Sequence, residues 1–81
     1  MRKNIAAVIE AWQQGQVHRE ATCRTDGQKI WSYEMVIARR APGGQLLVRD
    51  PNQAPTRTTK MQLSTIIQAV PNVLVLPGGF S

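Results

Sequence analysis

The chain has 81 residues, 42% of them hydrophobic, and one cysteine, so it is read as a single domain whose core no internal disulfide can staple. No apolar segment reaches the length of a bilayer span, and a lone thiol without a secretory leader predicts a cytoplasmic protein that keeps away from membranes. Ten Lys/Arg against five Asp/Glu give a net charge of +5, which steers the chain towards polyanions and acidic surfaces.

Ile5, Val8, Ile9 and Trp12 recur at helical spacing, predicting a short amphipathic helix over Met1–Gln14 with Asn4 as N-cap and Gly15 as a left-handed C-cap. Val17 to Arg24 alternates as a strand, with Val17, Ala21 and Cys23 on its apolar side. Asp26-Gly27 reads as a two-residue hairpin turn. A second strand, Lys29 to Arg40, places Trp31, Tyr33, Met35 and Ile37 on one face. Its other face is half apolar, so it is expected at the centre of the sheet. Pro42-Gly43-Gly44 turns the chain into a third strand, Gln45–Arg49. A polar connection follows. Thr59 and Gln62 then have capping-box spacing before a helix whose stripe is Leu63, Ile66, Ile67 and Val70 and which Pro71 stops. Val73 to Leu76 is an unbroken apolar run that reads as a short buried strand. The order is α-β-β-β-α-β, a two-layer α+β sandwich with a mainly antiparallel sheet, and residues 77–81 read as a frayed tail.

The residues offer little for catalysis, and an enzyme is not expected. His18 is the only histidine, and Cys23 lies at odd spacing from it in an alternating strand, which points the two apart. Cys23 reads as a small buried apolar residue. The carboxylates Glu10, Glu20, Asp26, Glu34 and Asp50 are scattered, and Glu34 is read as a cross-strand partner for Arg24 or Arg49. Gly43-Gly44 lacks the helix and the Lys-Ser/Thr that a phosphate-binding loop requires. No catalytic residue, metal ligand or cofactor is assigned.

The segment Lys29–Lys60 holds six of the ten basic residues and ends at a helix N-terminus. Backbone N–H groups of residues 60–62, hydroxyls of Thr56, Thr58 and Thr59, and the charges of Arg57 and Lys60 would suit an anion there. Arg39, Arg40 and Arg49 flank the Pro-Gly-Gly turn as a second basic group.

Ser32-Tyr33-Glu34-Met35-Val36-Ile37-Ala38 after the Asp26-Gly27 turn, with Thr56-Arg57-Thr58-Thr59 opening a helix, resembles a family of small phage and prophage proteins of unassigned activity. Its members often carry His shortly after the paired threonines, where this chain has Gln62. The resemblance covers about half the chain, from Asp26 to Val70, and implies a phage or mobile-element origin with residence in a bacterial host's cytoplasm.

The leading expectation is an accessory protein that binds nucleic acid through phosphate contacts from Arg39, Arg40, Arg49, Arg57, Thr58, Thr59 and Lys60. The alternative is a protein-binding modulator or inhibitor of a host enzyme or defence complex, since Arg and Trp also anchor protein interfaces. A third reading is a homodimer built by edge-strand pairing.

Overall fold

The computed structural model describes residues 2–76, with the side chains of residues 2–4 left aside; the expected tail at 77–81 lies outside the described residues. The first helix, α1 (Arg2–Gln13), buries Ile5, Val8, Ile9 and Trp12 as their spacing requires. Asn4 lies inside it rather than at its cap. Gly15, at φ 72°, ends it: Gln16 N–H donates to Ala11 O at 2.8 Å and Gly15 N–H to Trp12 O at 3.2 Å. This is a Schellman closure, which satisfies carbonyls the helix would otherwise leave open. A helix this short is marginal alone; burying each large aliphatic side chain of its stripe contributes about 1.5–3 kcal/mol and holds it in place.

Six strands follow the order β1-β2-β3-β4-β5-β6 across one sheet. They are β1 (His18–Arg19), β2 (Cys23–Thr25), β3 (Lys29–Ser32), β4 (Met35–Arg40), β5 (Leu46–Arg49) and β6 (Leu74–Leu76). The first five form an antiparallel meander. The second helix, α2 (Arg57–Ala69), carries the chain over to β6, which runs parallel to β5. A 3-10 turn at Pro51–Gln53 precedes α2, with the Asp50 carboxylate accepting from Asn52 N–H. The class is α+β in two layers, as expected, but the order is α-β-β-β-β-β-α-β. No helix of the described residues is long and apolar enough to cross a membrane.

The extra strands arise where two expected strands fold back on themselves. The chain turns between Arg19 and Cys23, leaving Val17 and Ala21 exposed and only Cys23 in the core. It turns again at Tyr33-Glu34, so Lys29–Arg40 is a hairpin of the two central strands rather than one central strand. The Asp26-Gly27 connection is wider than two residues, because Thr25 pairs with Ile30. There the Asp26 carboxylate accepts the amides of Gln28 and Lys29, both at 2.9 Å, and only Gly27 has positive φ.

A β-bulge shifts the β3–β4 register: Trp31 pairs with Val36 and Ile30 with Ala38, so Ile37 is the added residue and both Ile37 and Ala38 are buried. On the helix-covered face Cys23, Ile30, Ala38 and Val48 pack with Leu63, Ile66 and Val70 of α2 and the stripe of α1 in one cluster, and Thr25 and Ser32 are buried beside them. The expected Trp31/Tyr33/Met35/Ile37 face is therefore split. Met35 and Ile37 join the core, Trp31 lies on the opposite side of the sheet, and Tyr33 sits in the turn. Strand β6 is an edge strand, with Leu74 and Val75 exposed rather than buried.

Candidate functional site

The seven residues expected to contact nucleic acid do not form one surface. Arg40 points to the helix side, where Nη2 donates to Trp12 O at 2.7 Å and Gln13 O at 3.4 Å, and Nη1 to Gly27 O at 3.0 Å. It clamps the C-terminus of α1, whose dipole favours a cation, to the β2–β3 turn. Arg39, one residue earlier in β4, faces the other side of the sheet, together with Arg49, whose Nε donates to Val36 O at 2.6 Å.

The α2 terminus also differs from the expected anion cradle. Thr56, not Thr59, is the N-cap, its side chain accepting Thr59 N–H at 3.2 Å. The Lys60 amide already donates to Thr56 O at 3.0 Å, within the helix. Thr59 is buried, its hydroxyl joined to Thr56 Oγ1 at 3.0 Å and to Ser32 Oγ at 3.1 Å. Gln62 is buried too and donates to Thr22 Oγ1 at 3.1 Å instead of completing a capping box. Arg57, Thr58 and Lys60 are exposed. Arg57 and Lys60 line a shallow depression along the outer side of α2 with Met61, Ser64, Thr65 and Gln68.

The fold instead brings a different set together. Directly paired residues point to the same side of a sheet, and the register links Arg19 to Arg24, Arg24 to Trp31 and Trp31 to Val36. Lys29 pairs with Arg39, Arg39 with Leu47, and Leu47 with Leu74. Because Lys29 and Trp31 alternate along β3, both rows lie on the side away from α1 and α2. Arg19, Arg24, Lys29, Arg39 and Arg49 thus share one face, on which no helix of the described residues packs. None of the five carboxylates lies in a strand: Glu10 is in α1, Glu20, Asp26 and Glu34 are in turns, and Asp50 follows β5.

Arg24 organises the aromatic part of this face. Its guanidinium carbon lies 4.9 Å from the centroid of the Trp31 ring, and its Nη1 donates to Tyr33 O at 2.8 Å. Glu34, read from the sequence as a cross-strand partner for Arg24 or Arg49, is exposed in the β3–β4 turn rather than inside a strand. Tyr33 has φ 57°, the only non-glycine residue among those described with positive φ, and its side chain is well exposed.

The fold shifts the titration of Cys23 and of Asp26. Burial, with the Glu20 charge adding to it, pushes the Cys23 thiol above its ordinary value and keeps it protonated in the core. The amide of Lys29, and then that of Gln28, hold the Asp26 carboxyl below its usual range. His18 shares a contact with Glu20 at 2.5 Å, not with Cys23.

Arg19, Arg24, Lys29 and Trp31 escaped the sequence reading as one group because Arg19 and Arg24 share a face only once the chain reverses between them, which the single strand expected from Val17 to Arg24 conceals. The available signal was the alternation of Arg24, Lys29 and Trp31 against the buried Cys23, Thr25, Ile30 and Ser32. No family model, curated protein or solved structure matches the chain.

Proposed function

We propose that the chain binds nucleic acid, and does so through the helix-free face of its sheet rather than through the start of α2. The observation that carries this reading is the concentration of Arg19, Arg24, Lys29, Arg39 and Arg49 on that face, around Trp31, with no carboxylate in any strand. Five cations gathered on one face make a surface whose natural partner is a row of phosphates. Arginine supplies four of the five, with a planar fork that suits phosphate oxygens. The resemblance to small phage and prophage proteins makes an accessory role in a mobile element the natural biological setting for such binding.

The test is oligonucleotide binding across a salt series. Engaging four phosphates gives a slope of log affinity against log salt of roughly −2.8 on a single strand and −3.6 on a duplex. The double variant Arg19→Ala/Lys29→Ala should flatten that slope by about 0.7–0.9 per lost contact, whereas Arg57→Ala/Lys60→Ala should leave it unchanged. The reverse pattern would return the site to α2. A salt-independent response, or no binding at low salt, would remove nucleic acid and leave the modulator of a host protein as the reading to pursue.

A further inference from the structure

We infer that the ligand is a single-stranded nucleic acid whose unpaired bases stack on Tyr33 and on the guanidinium of Arg24 above Trp31. This deepens the function proposed above and rests on it.

A duplex shows a protein its phosphates, sugars and groove edges but hides its base faces, so it gives an exposed ring no base to stack on. Here Arg24, Trp31 and Tyr33 form one connected group: the cation lies over the indole and is tied to the carbonyl of Tyr33 at 2.8 Å. A guanidinium held this way has one face on the indole and another for a base, and arginine planes and aromatic rings are the surfaces on which splayed bases stack. Tyr33 adds a second and independent indication. It is 53% exposed and occupies the first position of a two-residue turn at φ 57°. Glycine or asparagine takes that conformation with little strain, whereas another L-residue is disfavoured there. A large exposed ring kept where a turn residue would fold better indicates a use for the ring.

The charges sit where a threaded strand would need them. Arg19 is in register with Arg24 on the neighbouring strand, and Lys29 and Arg39 form the next row, about 7 Å further along β3. Bases can therefore rest on the Arg24–Trp31–Tyr33 end while phosphates run across the flanking cations. The stacking contact uses faces that every base possesses, so weak sequence preference follows.

Tryptophan emission provides the readout, because Trp12 is fully buried while Trp31 is not. The chain is titrated with oligo-dT, oligo-U and a DNA duplex of equal length at low salt. The expected result is tighter binding of a single strand than of the duplex, with quenching of the exposed indole; the dT and U arms distinguish DNA from RNA. Tyr33→Asn should weaken single-strand binding about five- to hundredfold while its thermal midpoint stays level or rises. Equal binding of duplex and single strand with unmoved emission would overturn stacking and leave the phosphate-binding face intact. A Tyr33→Asn variant that loses stability along with affinity would make Tyr33 structural and overturn the inference too. No binding of any probe would overturn both readings together.

Discussion

Arg40 is the side chain for which removal should injure the fold and spare the ligand surface. Its guanidinium makes two short bonds, to Trp12 O at 2.7 Å and Gly27 O at 3.0 Å, and a longer one to Gln13 O at 3.4 Å. Charged hydrogen bonds contribute about 1.5–3 kcal/mol net, and a cation at a helix C-terminus adds about 0.3–1 kcal/mol. Partial exposure puts both short bonds at the low end, so Arg40→Ala should lose about 3 kcal/mol. A domain of 81 residues has roughly 4–12 kcal/mol in total, so the loss is severe. In thermal unfolding followed by circular dichroism, the midpoint should fall by about 12–24 °C. Arg40→Lys keeps the charge and loses the fork, and should lie between the two. Below the variant's transition, oligonucleotide affinity should match the unmodified chain. A loss under about 0.5 kcal/mol, within the range of ordinary surface substitutions, would refute the clamp. So would a fall in affinity of the folded variant.

Gly27→Ala should be among the most damaging single-methyl changes. A Cβ there would lie 2.6 Å from Gly15 O, a backbone atom, at a residue with φ 95°; about 2–4 kcal/mol of lost stability in urea unfolding is expected. For Asp26 the depressed carboxyl titration means that its stabilisation is complete well above its ordinary value of 3.8 and is lost as pH falls through the lower folded-state value. Asp26→Asn keeps an acceptor oxygen without the titration, so the gap in midpoint between the two proteins should shrink or change sign on acidification. A gap constant from neutral pH down into this acid window would contradict the assignment.

The two helices were legible because their stripes obey a simple rule. Ile5, Val8, Ile9 and Trp12, like Leu63, Ile66 and Val70, repeat at 3.6-residue spacing and are buried accordingly. The hairpins were legible only where glycine marked them. At Tyr33-Glu34 neither residue is a customary turn former, and the strand-like run from Ile30 to Ala38 conceals the reversal. Once that turn is missed, every side chain beyond it is assigned by the wrong parity, and the bulge at Ile37 adds a second shift. Arg39 and Arg49 were identified from charge alone, but not the face they share with Arg19, Arg24 and Lys29. Arg40 looked like their equivalent because adjacency in sequence says nothing about which side of a strand a residue takes. Thr59 was misjudged by one helical turn, since Thr56 offers the same capping chemistry three residues earlier.

The crossover through α2 has a consequence for how the molecule assembles. Strands β1 to β5 pair between near neighbours in sequence, whereas β6 reaches β5 only across the whole of α2. Closure of that last ladder, Leu47 with Leu74 and Val48 with Val75, carries the largest loop-closure entropy of any pairing in the sheet. Until it forms, the backbone edge of β5 is an open template for a neighbouring chain, and crowding during synthesis is most hazardous at that moment.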